Sequence, residues 1–282
     1  MLGLGGGLTS LGHMEDGVWV SSNSWDFDGT NDHVNIGDGA LAKPTTTDTS
    51  EGVGFTVAFW CKSDAWGEGV GDYPSAAEHA IGTIATGGWG ISAGTRLSAT
   101  LAIVDGGGYQ YLTLNSDYKP FHNGAALYRS SMWHHITLTF DGRYLKVYTD
   151  GTLRTTVDAG EDDNTMYYGS GTAAVDVLIG ADATSKVGGV TGSQAHWAGL
   201  IDDVGIWNTA LDLEAIDEIY EAVNTSGAVM DLTLDSGDYD YSGNLTGLWR
   251  ANEGSGTTAT DDAGSNNGTL VNGTAYSAEV PS

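Results

Sequence analysis

Trp133-His-His-Ile136-Thr-Leu138-Thr-Phe140-Asp141-Gly142-Arg-Tyr144-Leu145-Lys146-Val147-Tyr148-Thr-Asp150-Gly151-Thr-Leu153 is the stretch on which the fold turns. Ile136, Leu138 and Phe140 alternate with threonines, and Leu145 and Val147 alternate with Tyr144, Lys146 and Tyr148. A period of two places one set toward a core and the other outward, as a half-buried strand requires. Asp141-Gly142 and Asp150-Gly151 supply the positive φ angles of tight hairpin turns. Three consecutive antiparallel strands follow.

The same period runs outward in both directions. Trp25-Asp-Phe27-Asp-Gly-Thr-Asn-Asp-His-Val34-Asn-Ile36-Gly reads as strand, turn, strand, and Phe55–Cys61 is a strand rich in aromatic and β-branched residues. Residues 79–114 give short glycine-punctuated segments, with further strands at Val175–Ile179 and Ala198–Trp207. Between Thr209 and Val223 the period changes to 3.6. Leu211, Ile216, Ile219, Tyr220 and Val223 share a helical face, and Thr209 with Asp212 resembles a capping box. One short helix near 210–223 in an otherwise all-β chain implies a two-sheet antiparallel sandwich of the jelly-roll type.

Composition narrows the function. The 282 residues carry 10 Lys+Arg against 37 Asp+Glu, a formal charge of −27. Phosphate backbones and anionic membrane surfaces repel such a chain, which excludes nucleic acid as a partner. The lone cysteine, Cys61, allows no intrachain disulfide and reads as a small apolar strand residue with nothing in the adjacent sequence to activate it. Residues 1–17 have neither a basic n-region nor a continuous apolar run, so neither a signal peptide nor membrane insertion is expected. Their leucines (Leu2, Leu4, Leu8 and Leu11) are spaced by glycine. They form either a frayed terminus or an arm that lays its leucines in a partner's groove.

Five blocks, in order, resemble the laminin-G-like branch of the concanavalin A-like lectin/glucanase superfamily. They are Phe27-Asp-Gly-Thr-Asn-Asp-His-Val-Asn-Ile-Gly, Phe55-Thr-Val-Ala-Phe-Trp, Trp133-His-His-Ile-Thr-Leu-Thr-Phe-Asp-Gly, Leu178-Ile-Gly-Ala and Gly199-Leu-Ile-Asp-Asp-Val-Gly-Ile-Trp-Asn-Thr-Ala-Leu. The resemblance implies a concanavalin A-like jelly roll over 18–282 but fixes no single function. Residues 244–282 resemble the block that usually opens such a domain, yet here they follow the helix. They supply the opening strand in permuted or swapped order, form a truncated second unit, or complete a neighbouring subunit. The Gly/Leu start and this tail together resemble virion structural proteins of marine tailed bacteriophages. That resemblance implies a virion-surface protein (capsid decoration, tail or fibre) made in the host cytoplasm, with other virion proteins and a homo-oligomer as partners.

Three chemistries bear on a chain of this kind. The Glu-x-Asp-x-x-Glu pattern of the fold's glucanases is missing, Glu161-Asp162-Asp163 sits between turn residues, and the adjacent Asp202-Asp203 point to opposite strand faces, so no catalytic residue and no enzyme are expected. Asp261, Asp262 and Asn266 lie in an oxygen-rich turn suited to Ca²⁺ or to a solvated Asx turn, and the resemblance pairs Asp262 with Asp202 or Asp203 as structural calcium ligands. Trp60, Trp133, Trp207 and Trp249 read as core. Trp66, Tyr73, Trp89, Tyr109, Tyr167, Tyr168 and Trp197 lie in or beside Gly/Ser/Asp-rich loops, as sugar-stacking aromatics or as subunit-interface anchors. A glycan-binding role, for host polysaccharide, stands beside the virion role.

Overall fold

The computed structural model describes residues 18–37, 54–63, 79–83, 88–93, 97–105, 108–115, 122–123, 127–128, 132–160, 164–167, 176–182 and 195–282. The strands in chain order begin with β1 Val18–Trp19, β2 Ser24–Asp28, β3 His33–Asn35, β4 Phe55–Ser63, β5 His79–Thr83, β6 Trp89–Ala93, β7 Leu97–Asp105 and β8 Gly108–Asn115. The short β9 His122–Asn123 and β10 Leu127–Tyr128 precede β11 His134–Phe140, β12 Tyr144–Thr149 and β13 Thr152–Asp158. Next come β14 Val177–Ile179, β15 Ala181–Asp182, β16 Ala195–His196 and β17 Ala198–Trp207. Helix α1 Leu213–Ser226 is followed by β18 Val229–Met230, β19 Leu245–Trp249, β20 Thr258–Ala259, β21 Gly268–Val271 and β22 Ala275–Ser277.

Among the described residues two eight-stranded sheets form the sandwich. The first runs β13-β12-β11-β4-β17-β2-β22, with β19 also on β17; the second runs β20-β21-β3-β14-β5-β6-β7-β8. All pairs among the described residues are antiparallel, and β11, β12 and β13 form the expected double hairpin. Asp150 (φ 51°) and Gly151 (φ 70°) are both left-handed, the geometry of the tightest hairpin turn. Phe55, Val57 and Phe59 of β4 and Ile136, Leu138 and Phe140 of β11 face Leu97, Leu101 and Ile103 of β7 in one continuous core.

The outer face of the first sheet is also covered, because α1 lies across it. Ile216 and Ile219 pack on Ala58 and Trp207, while Val223 meets Trp60. That is why β4 is buried at every position rather than at alternate ones. Asp212 caps α1, its side chain accepting from the Ala215 N–H, and the cap glycine Gly227 closes the other end at φ 70°. Thr209 takes no part in a capping box: its carbonyl accepts from Thr56 Oγ1 and pins the chain before the helix. Tyr239, fully buried, accepts from Trp207 Nε1 at 2.9 Å and donates to the Leu232 carbonyl, which locks the 227–244 connector onto the same face.

Residues 244–282 pack into this sandwich. β19 pairs with β17, β21 with β3 and β22 with β2. β2 and β19 share one edge of β17: β2 pairs with residues 198–201 and β19 with residues 204–207. Between them the ladder shifts register and Asp203 adopts φ 51°. Among the described residues no helix is long and apolar enough to cross a membrane.

Candidate functional site

Two places in the fold gather the residues singled out by sequence. The first is the irregularity in β17. A regular strand would send Asp202 and Asp203 to opposite faces, but the bulge breaks that alternation and both are buried. Asp202 accepts from Ser21 Oγ at 2.6 Å and from the N–H groups of Asp203 and Ala251. Burial, reinforced by the charge of Asp203, pushes its pKa up to about 7. Asp203 accepts from Arg250 Nε at 3.1 Å, and burial raises its pKa against the opposing pull of that guanidinium. Arg250 Nη2 reaches Asp231 Oδ1 at 3.1 Å and Nη1 reaches Asp262 Oδ2 at 3.4 Å.

Asp261 belongs to a separate arrangement. Its Oδ1 accepts from the N–H groups of Leu248, Ala263 and Gly264; its Oδ2 accepts from the backbone and side-chain nitrogens of Asn266. This is an Asx-type loop, though buried rather than solvated. As arranged, the expected ligands do not fit a calcium ion. Asp203 and Asp262 face a guanidinium, and Asp261 has spent both oxygens on N–H donors. Among the described residues no group of three or more His, Cys, Asp or Glu side chains could hold a metal.

The second place is the outer face of the second sheet at the β7–β8 hairpin. Met166 bridges Ile103, and both point into the core. The Tyr167 N–H donates to the Ala102 carbonyl at 2.8 Å, and its own carbonyl accepts from Gly88. Neighbours in a strand alternate faces, so Tyr167 lies outward beside Ala102. On the other side of Ala102 its β8 partner is Tyr111, which keeps about a third of its surface exposed. Tyr167, Ala102 and Tyr111 thus form one row across three chain segments. Strand spacing puts the outer two roughly 10 Å apart over the small alanine. Val104, 42% exposed, continues the face and pairs with position 109 of the same hairpin.

The structure corrects two aromatic assignments. Trp89 and Trp197 have no exposed surface: Trp89 packs on Phe55 at 5.1 Å between ring centroids, and Trp197 sits in the inter-sheet core. Neither can present a ring face to a sugar. Tyr167 falls on the β7–β8 face and Tyr109 belongs to β8; Trp66, Tyr73, Tyr168 and the leucines of the arm lie outside the described residues. Tyr111 is a site residue that loop composition does not single out; the sequence signal for it is its spacing of two from Tyr109, a strand period. Of the core tryptophans, Trp60, Trp207 and Trp249 are buried and Trp133 is half-buried.

No curated protein matches the chain in sequence. A candidate carbohydrate-binding protein from Bacteroides ovatus aligns in structure with a TM-score of 0.55 and 15% identity, covering 92% of this chain and 60% of its own. The chain therefore spans less than two thirds of that protein. The binding domain of botulinum neurotoxin serotype G gives a TM-score of 0.43 at 19% identity over 61% of this chain and 37% of its own. A heptameric SAP-like pentraxin from Limulus polyphemus gives 0.41 at 14% identity over 71% of this chain and 82% of its own. A laminin-G-type profile matches residues 28–217, well over half the length, and the chain belongs to the concanavalin A-like lectin/glucanase superfamily.

Proposed function

We propose that this chain is a non-enzymatic, lectin-like domain that binds polysaccharide through the outer face of the β7–β8 hairpin. The observation that carries the reading is the row Tyr167–Ala102–Tyr111. Sugar rings stack their C–H faces on aromatic planes, and two tyrosines flanking a small buried residue offer two such planes side by side on one face. The test is a glycan array on the purified protein, followed by titration of the best binder. Tyr111→Ala and Tyr167→Ala are each expected to weaken binding about tenfold, a loss of roughly 1.4 kcal/mol, with the melting temperature unchanged. Folded protein that binds nothing on the array overturns the reading.

The resemblance to virion structural proteins extends the proposal to context. On this reading the domain is displayed as an oligomer on a virion surface and faces host polysaccharide, with residues 1–17 as its attachment arm. Deleting residues 1–17 is expected to abolish particle incorporation and to leave glycan binding intact; unchanged incorporation overturns that role for the arm.

A further inference from the structure

Arg250 is 3% exposed and its guanidinium touches carboxylates from three separate chain segments. Asp203 comes from the β17 bulge, Asp231 from the turn after β18 and Asp262 from the loop after β20. Asp231 is held in place by the N–H and hydroxyl of Thr233. A fourth segment closes the arrangement, because the Trp19 ring lies 4.3 Å from the guanidinium carbon. Two residues on, Ser21 reaches Asp202. Asp203 and Asp231 are almost fully buried, and carboxylates out of water need a cation or a full set of donors.

A calcium ion among these oxygens would stand against a buried guanidinium, two cations competing for the same carboxylates. The guanidinium's planar fork of N–H donors already meets three of them, and an indole covers its face. We infer that Arg250 is the chain's own fixed cation at this end of the sandwich, doing for these acidic segments what a bound calcium ion would otherwise do. These described segments then need no calcium, and the strap 18–24 is held by an internal side chain rather than by a metal.

The experiment is thermal unfolding of the full chain in EDTA and in millimolar CaCl₂, alongside a terbium titration read by tryptophan-sensitised emission. Wild-type protein is expected to melt at one temperature in both buffers and to give no saturable terbium signal. A saturable calcium-dependent rise in its melting temperature overturns the inference without any variant. Arg250→Met leaves buried carboxylates unpaired and is expected to melt roughly 10 °C lower. It is also expected to regain part of that loss in calcium and to bind terbium. A variant that melts with the wild type, or that falls and stays indifferent to calcium, overturns the inference. If Arg250→Met does not fold, Asp262→Asn removes the most exposed partner alone. That variant should melt a few degrees lower and remain calcium-insensitive, and a calcium-dependent rise in it counts against Arg250 as the resident cation.

Discussion

Cys61 stands directly across the β4–β11 ladder from His134, and His134 Nδ1 lies 2.8 Å from Asp150 Oδ2. Thiol, imidazole and carboxylate thus follow one another in the order of a nucleophile, its base and the group that orients the base. Nothing adjacent to Cys61 in sequence announces this; the ladder register creates it. Access separates this arrangement from a catalytic one. Cys61 belongs to the inter-sheet core with no exposed surface, and Asp150 also accepts the His135 N–H, a bond that holds its left-handed backbone. The group reads as a brace for the β12–β13 turn. Ellman's reagent is therefore expected to label no thiol in native protein and one per chain in concentrated urea. Rapid labelling of the native protein, faster below neutral pH than free cysteine, would point to an activated thiolate.

Two tryptophans owe their burial to glycines two residues earlier. A Cβ on Gly205 would come within 2.4 Å of Trp207 Cη2, and one on Gly247 within 2.3 Å of Trp249 Cη2. The strands β17 and β19 pair directly, so each repeats a Gly-x-Trp unit in which the indole folds back over its own strand. Gly205→Ala should force the Trp207 ring away from Tyr239 and cost about 1–3 kcal/mol, a drop of several degrees in melting temperature. Gly243→Ala, where a methyl meets nothing within 4 Å, is the control and should melt with the wild type. Equal melting of all three proteins would show that the indole has room to shift.

The double hairpin 133–158 and the helix were legible because each depends on local periodicity, and both hairpin turns carry their own Asp-Gly signal. The bulge at Asp202–Asp203 was not, since counting alternate residues assumes an unbroken strand. Trp89 and Trp197 were misread for a related reason. Glycine and serine around them suggest loops, but Trp89 opens β6, and the Trp197 N–H donates to the carbonyl of Gly180, a residue far away in sequence. Arg250 shows the limit most clearly. Its partners Asp203, Asp231 and Asp262 are remote from one another in sequence and meet only once β19 has joined β17 beside the bulge. An arginine in an acidic chain gives no hint of that before the topology is known.

His135 makes a pH dependence that can be assigned by sign. Its ring is buried against Trp60 at 5.0 Å, its Nδ1 has no partner, and burial drives its pKa from 6.5 down to about 4 despite the nearby charge of Asp150. Between those values the unfolded chain takes up a proton that the folded chain refuses. The contribution to stability is therefore intact above pH 6.5 and shrinks as pH falls toward 4, by about 3 kcal/mol in all. Asp202 acts in the opposite direction, because its raised pKa favours the folded state as pH falls from about 7 toward the usual carboxylate range. The two partly cancel in wild-type protein, so the net slope identifies neither. His135→Phe keeps an aromatic ring beside Trp60 and removes one of them. Urea midpoints at pH 7.5 and pH 5 are expected to show the variant gaining on the wild type by one to a few kcal/mol at the lower pH. An identical pH dependence in the two proteins would mean that His135 protonates equally well in the folded and unfolded chain.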